Sequence, residues 1–264
     1  MMQPARHLKF SGMIAPQDQL HQVIHLPPGE MLSDQQYIAP NLVTVIIKNP
    51  PPTQTIGVPQ YSPTVIAKST GYDPAGDCNG NFMSAKFQPN NNCYAYGCNI
   101  SSNSFPQPGR LSGNLITAST LNGPSVANFA EQDGLVFAGK STGELASFAQ
   151  KRRAQLGAGG LDGHFVALMI SAPSGQYWPG DYHWARCDDN VNFSSWSQKD
   201  GGDQVTNFDF AGNPITNPAT ANWSVNQGPI QPDKSQPGFN PDDMVVDYVF
   251  YCFMYVPNEG VDII

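Results

Sequence analysis

The chain has 264 residues, of which 40% are apolar and only 13% are charged, and its formal net charge is −8 at pH 7. This length suits one large domain with an additional arm, and it is enough to bury a hydrophobic core. Because phosphate binding needs clustered Lys and Arg, this acidic chain without a basic stripe is not expected to bind nucleic acid. No apolar run approaches the ~18 residues of a membrane span, so no span is expected.

Residues 1–65 are predicted to form an N-terminal arm or a small β subdomain. The β-branched run Leu42–Lys48 predicts one strand there, and the prolines that follow indicate extended chain. An arm of this kind can contact a protein assembly partner. The first residues lack the apolar core of a Sec-type signal, which predicts synthesis in the cytoplasm and release by phage lysis or an injection apparatus.

The turn-rich stretch 66–92 loosely matches a calcium loop at Asp77, Asn79 and Gly80. Gln88 stands where such a loop requires Glu, which weighs against calcium. The five cysteines contain no Cys-x-x-Cys pair, which disfavours a four-cysteine zinc site or a disulfide framework. The sequence therefore predicts no metal or other cofactor, and at least one free thiol.

Three asparagines precede Cys93, and the following run 94–100 predicts about two helical turns. A thiol at a helix N-terminus ionises more readily, and the thiolate is the nucleophilic form. Cys93 is therefore the candidate nucleophile. Cys98 is a rival candidate, but it lies further along the same helix, away from the N-terminal end.

The remaining pattern predicts an α+β fold. Residues 111–140 are mixed and turn-rich, and 143–156 form an amphipathic helix. The runs 164–170, 182–187 and 193–198 predict an antiparallel meander, of which the first strand is central and buried. Residues 200–243 are loop-rich, and the long apolar run 244–256 predicts a closing strand.

Two histidines stand on neighbouring predicted strands. His164 begins the buried strand, and His183 lies on the next one. A hairpin centred near 173–174 would place them opposite each other and on one face of the sheet. Either imidazole can serve as the base that activates a thiol, and a polar side chain would then orient it. Candidates for this orienting role are Asp188, Gln198 and Asp209.

Three features follow one another along the chain: a cysteine at a helix start, Gly163-His164 before an apolar strand, and a polar residue on the next strand. This order resembles the NlpC/P60 group of papain-like cysteine peptidases and the related CHAP amidases. The resemblance covers about residues 85–200. It implies a papain-like domain over 66–264, with a cysteine-bearing helix packed on an antiparallel sheet and an insertion at 200–243. It further implies Cys93 as nucleophile, His164 as base and His183 as third residue, and Gln88 as an oxyanion donor.

Three functions are compatible with these features. The first is a cysteine hydrolase that cleaves amide bonds in peptidoglycan peptide stems, as a lysin or toxin. The second is the same thiol chemistry on a protein of a target cell, as a protease, deamidase or acyltransferase. The third is a catalytically silent, particle-associated structural protein, which the low charge and the proline-rich arm favour.

Three asparagines match the Asn-x-Ser/Thr pattern of N-glycosylation: Asn99, Asn192 and Asn222. Without an export signal, the pattern alone carries little weight.

Overall fold

The computed structural model describes residue 82 and residues 90–264, apart from 101, 103, 158–159, 175–177, 204, 232–233 and 239. The predicted arm 1–65 with its strand at 42–48, the calcium-like residues 77–80 and Gln88 lie outside the described residues.

The described residues form a six-stranded sheet and a separate two-stranded ribbon. All strand pairs are antiparallel, and the order in the large sheet is β1-β8-β2-β3-β4-β5. Its strands are β1 (Val136–Gly139), β2 (Gly163–Ser171), β3 (Asp181–Cys187), β4 (Trp196–Lys199), β5 (Val205–Thr206) and β8 (Val249–Pro257), and the ribbon pairs β6 (Ser224–Gln231) with β7 (Asn240–Asp247). The predicted α+β class and the antiparallel meander β2-β3-β4 are confirmed.

Strand β2 occupies the middle of the sheet, between β8 and β3. Eight of its nine residues are buried, as its near-continuous apolar sequence predicts for a strand covered on both faces. Successive side chains point to opposite faces. Val166 and Leu168 therefore enter one hydrophobic core, while Phe165 and Ala167 enter another.

Three α-helices of the described part of the chain cover the two faces of the sheet: α1 (Cys93–Cys98), α2 (Gly123–Gln132) and α3 (Thr142–Leu156); a short 3-10 helix spans Arg110–Ser112. Residues of α1 and α2 join the core that contains Val166. On the opposite face, Leu145 and Ala149 of α3 pack with Phe165, and so does the inner side of the β6–β7 ribbon. The helix predicted at 143–156 is confirmed and begins one residue earlier, but Leu145 and Ala149 are its buried residues, whereas Leu156 is exposed.

Two stretches contain more regular structure than their sequences predict. Residues 111–140 hold α2 and β1, and residues 200–243 hold β5, β6 and the start of β7. Pro229 lies within β6 and Pro241 within β7. Both lie where the pairing register of the ribbon shifts, and proline is tolerated at such irregularities, although in a sequence it predicts a break. The predicted closing strand 244–256 is divided, since β7 ends at Asp247 and β8 begins at Val249.

Candidate functional site

Cys93 is the first residue of a short helix, as the sequence predicts. The side chain of Asn92 caps α1 by accepting a hydrogen bond from the backbone N–H of Ala95 at 3.0 Å. Its amide group also donates to the carbonyl oxygen of Pro106 at 3.0 Å. Asparagine is a favoured N-cap residue, so the loop-to-helix transition follows directly from the sequence.

The environment of Cys93 opposes ionisation of its thiol. Its side chain has 0% exposure, and Sγ lies 3.9 Å from the carbonyl oxygen of Tyr182, to which it donates. Burial raises the pKa of Cys93 well above its ordinary value, and the negative charge of Asp181 raises it further. The expected lowering of the pKa by the helix N-terminus is therefore wrong, because desolvation outweighs the effect of the short helix.

Cys98, the rival nucleophile, is also buried inside α1. Burial raises the pKa of this thiol well above its ordinary value, and Asp133 raises it further. Both candidate thiols are therefore protonated at neutral pH.

His164 holds the C-terminal end of α1. Its Nε2 lies 2.6 Å from the carbonyl oxygen of Gly97, so Nε2 carries the proton and donates. Burial, and then the charge of Arg186, lower the pKa of His164 to about 4. The imidazole is thus neutral, and its hydrogen bond attaches the helix to the sheet.

His183 does not lie opposite His164, and this prediction is wrong. His183 pairs with Met169, and Ser171 pairs with Asp181. The connection therefore spans residues 172–180 and is centred at 176 rather than near 173–174. Because side chains alternate along a strand, this shift moves His183 to the other face of the sheet.

Gly180 is the last residue of this connection. Gly180 has φ of +85°, a conformation that glycine adopts at little cost. A Cβ at this position would lie 2.4 Å from Leu121 and 2.9 Å from Pro173. The turn therefore packs closely against neighbouring chain at the point where β3 begins.

His183 lies in an aromatic cluster with Phe210, Trp223 and Tyr248. The ring centroids of these residues are 5.5, 5.5 and 5.9 Å from that of the imidazole. His183 has 0% exposure. Burial lowers its pKa to about 3, although the hydrogen bond to Gln198 opposes this shift.

Gln198 does contact a histidine, as its candidate role requires. Its amide nitrogen donates to the carbonyl oxygen of Phe208 at 3.0 Å. Its Oε1 therefore faces His183 Nε2 at 2.9 Å, which fixes the proton on Nε2. This pair is buried on the face away from Cys93, because the core around Cys93 contains Tyr182 and Trp184, the neighbours of His183 in β3.

The other two orienting candidates have different contacts. Asp188 Oδ1 lies 3.6 Å from Arg186 Nε, and burial raises its pKa to about 7 despite this partner. Asp209 accepts from the backbone N–H groups of Ala211 and Asn213, and so stabilises its own loop. Neither carboxylate has a hydrogen bond to an imidazole in the described part of the chain.

Arg186 links α1 to the sheet. Its Nη1 donates to the Asn99 side chain at 3.0 Å, and its guanidinium lies 4.1 Å from the centroid of Tyr96. The Tyr96 hydroxyl is 2.6 Å from Ser197 Oγ in β4. Together with His164, these contacts fix the position of a helix that is too short to be stable alone.

The sequence reasoning missed a buried lysine. Lys199 has 0% exposure, and its ammonium group donates to the carbonyl oxygens of Asn91 at 2.5 Å and Gly201 at 2.7 Å. Burial lowers the pKa of Lys199 to about 7. Its position at the end of a polar strand is typical of a surface lysine, so the sequence pattern gives no indication of this role.

Among the described residues, no group of His, Cys, Asp and Glu side chains is arranged to hold a metal ion. None of the helices in that part of the chain has the length and apolarity to cross a membrane.

The fold and these contacts define an α+β protein in which Cys93, His164 and His183 are buried, and His183 lies on the opposite face of one antiparallel sheet from the other two. Its sequence is 36% identical over 135 residues to insoluble matrix shell protein 1 of Ruditapes philippinarum, a match that covers 51% of this chain and 72% of the relative. The chain belongs to the family of this shell protein. No family model matches the chain, and no solved structure matches it.

Proposed function

We propose that this chain is a structural component of an insoluble protein matrix. The observation that carries the proposal is its similarity to insoluble matrix shell protein 1 over 72% of that relative. The buried candidate residues support it, because Cys93, His164 and His183 have exposures of 0%, 2% and 0%. A substrate cannot reach atoms that lie inside a close-packed core.

The contacts of the polar residues also favour a structural role. His164 and Arg186 bind groups of α1 itself. Lys199 donates to the backbone of the loop before α1 and to the backbone of the turn after β4. Buried polar groups that are paired in this way define one packing arrangement and are costly to disrupt.

Exposed valines supply a physical reason for low solubility. Val245 is 59% exposed and Val249 is 68% exposed. Both border an open groove of about 560 Å³ whose wall includes Ile170, Trp178 and Phe250. Exposed apolar side chains at the rim of such a groove promote association in water.

Amide hydrolysis at Cys93, on peptidoglycan or on a target-cell protein, stays a prediction. A cysteine-bearing helix against an antiparallel sheet is compatible with the NlpC/P60 resemblance, which also stays a prediction. Catalysis would require Cys93 to become exposed and to meet an imidazole, whereas the hydrogen bond of its sulfur in the described part of the chain goes to the backbone of β3. Delivery by a non-Sec route and binding of a partner by residues 1–65 are likewise untested.

Sequential extraction of the native source tests the matrix role. We expect the chain to remain in the pellet after washes with salt and with chelator, and to dissolve only in strong denaturant. An abundant soluble protein from the same material serves as the control and should leave in the first wash. Complete release of the chain by salt would contradict the proposal.

A further inference from the structure

One of the three glycosylation patterns lies in a loop whose conformation suits modification. The middle residue, Trp223, is only 4% exposed, and its indole N–H donates to the Pro218 carbonyl oxygen at 2.8 Å. Asn222 on one side of it is exposed. Ser224 begins the edge strand β6. Asn222 is thus exposed and Ser224 is partly exposed, while the indole between them is buried.

The backbone of this loop is firmly held. The N–H of Asn222 donates to Asp209 Oδ2 at 2.9 Å, and its carbonyl oxygen accepts from Phe210 at 3.0 Å. The Asn222 side-chain oxygen accepts from the N–H of Ser224 at 2.9 Å, which forms an Asx turn. Within the described residues, the Asn222 amide nitrogen and the Ser224 hydroxyl have no hydrogen-bond partner.

The pattern at Asn192 differs in its hydroxyl group. Asn192 is exposed, and its backbone N–H donates to Asp189 Oδ1 at 3.1 Å. The hydroxyl of Ser194 donates to the other oxygen of this carboxylate at 3.1 Å. The intervening Phe193 has φ of +57°, a conformation that a bulky residue rarely adopts. The hydroxyl would therefore have to leave Asp189 before modification.

The pattern at Asn99 is part of the packing of α1. Asn99 is half-buried, ends the helix with φ of +56°, and accepts a hydrogen bond from Arg186. Its Oδ1 is thereby fixed beside the guanidinium that lies over Tyr96. We therefore expect the amide of Asn99 to be less accessible to glycosylation than that of Asn222, which is exposed.

We infer that Asn222 is an N-glycosylation site of this protein. The donor is an oligosaccharide linked to a lipid diphosphate. A bond forms between Asn222 Nδ2 and the anomeric carbon of the first sugar, while the bond from that carbon to the diphosphate oxygen breaks. The lipid diphosphate leaves with the electron pair, and the amide nitrogen loses one proton. The inference goes beyond the matrix role, because an insoluble matrix protein does not need a glycan. The matrix role and the glycosylation of Asn222 can therefore each fail independently of the other.

The test is peptide mass spectrometry on the full-length native protein after treatment with a peptide N-glycosidase in ¹⁸O-water. We expect Asn222 to be converted to labelled Asp in most copies, Asn192 in a smaller fraction, and Asn99 in none. A sample without the glycosidase controls for spontaneous deamidation. An unlabelled Asn222 in the recovered peptide would overturn the inference, as would labelling at Asn99 or stronger labelling at Asn192.

Two variants separate loss of the glycan from loss of the fold. Ser224→Ala removes the hydroxyl but keeps the backbone N–H that bonds to Asn222, and Ser224→Thr keeps the pattern. In a glycosylating host that secretes the full chain behind a cleavable leader, we expect Ser224→Ala to lose the Asn222 glycan completely and Ser224→Thr to retain it. Equal glycosylation of the two variants, or its absence from both, would contradict the assignment.

Discussion

Met169 and His183 face each other across the β2–β3 pair. This register places His183 in an aromatic cluster on one face of the sheet, whereas His164 contacts α1 on the other. A hydrolytic site built from both imidazoles and Cys93 would need them on the same face. The two histidines instead stabilise two separate cores.

The first prediction concerns thiol reactivity. Among the described residues, four cysteines are free and buried: Cys93, Cys98, Cys187 and Cys252. In a Cys78→Ser variant, which removes the cysteine outside the described residues, we expect these four thiols to react with a disulfide reagent only after denaturation, because buried protonated thiols are poor nucleophiles. Absorbance of the released thiolate measures the rate. A fast native reaction that Cys93→Ala abolishes would show that Cys93 is accessible.

The second prediction concerns acid stability at His183. The pKa of this histidine is about 3 in the folded protein, against an ordinary value of 6.5. Below pH 6.5 the unfolded chain takes up a proton that the folded chain refuses, so stability falls as the pH drops from 6.5 toward 3. When the pH is lowered from 7 to 4.5, we expect His183 to lower the free energy of unfolding by about 2–3 kcal/mol.

Denaturant unfolding of wild type and His183→Gln at these two pH values measures the effect. The variant should lose less stability on acidification than the wild type by that amount. Equal losses in both proteins would show that His183 is not buried as a neutral imidazole.

The third prediction has the opposite sign and concerns Asp188. Its pKa is raised from 3.8 to about 7, so the folded protein retains a proton that the unfolded chain releases. The resulting stability is fully present below pH 3.8 and is lost as the pH rises through 7. When the pH is lowered from 7.5 to 5, the wild type should gain about 2 kcal/mol in free energy of unfolding from this group. Asp188→Asn should not show this gain. Parallel pH profiles of the two proteins would argue against a buried, protonated Asp188.

The fourth prediction tests the attachment of α1. His164→Leu leaves the carbonyl oxygen of Gly97 buried without its donor, which should lower the free energy of unfolding by about 1–3 kcal/mol. Val191→Ala is the control, because this side chain is 73% exposed and its truncation should change stability by less than about 0.5 kcal/mol. Urea unfolding measures both. A His164→Leu protein as stable as the control would mean that this hydrogen bond contributes nothing.

The fifth prediction concerns solubility. Glutamate at Val245 and Val249 places charges at the rim of the groove and adds to the negative net charge, so the double variant should precipitate at a higher protein concentration than wild type. Val191→Glu adds a charge at an exposed valine in the β3–β4 turn, outside the groove, and should have a smaller effect. Turbidity against concentration measures all three proteins. A Val191→Glu effect as large as that of the double variant would show that charge alone, rather than the groove, determines solubility.

The sequence predicted the helices and strands that are indicated by their own residues and their immediate neighbours in the chain. Asn92 before Cys93 indicates a helix start, and the apolar run of β2 indicates a buried strand; both are confirmed. The register between β2 and β3 depends on the length of the connecting turn, which no periodicity reveals. A shift of the hairpin centre from 173–174 to 176 then reversed the face of His183.

The burial of the candidate site was also beyond a sequence pattern. From sequence alone, a cysteine such as Cys93 can equally well be catalytic or buried, and a lysine such as Lys199 is expected at the surface. Their 0% exposure results from packing between α1 and β3–β4, which are about a hundred residues apart in the chain. The desolvation that raises the pKa of Cys93 and lowers the pKa of Lys199 therefore follows from tertiary structure alone.

Replacement of the native gene product by a Cys93→Ala variant tests the structural assignment most directly, after thermal unfolding has verified that the variant is folded. The matrix account predicts that the variant enters the insoluble fraction in the same amount as wild type, and that neither protein releases amines from peptidoglycan or protein substrates. Substrate cleavage by wild type that is lost in Cys93→Ala would contradict the account and establish a thiol hydrolase.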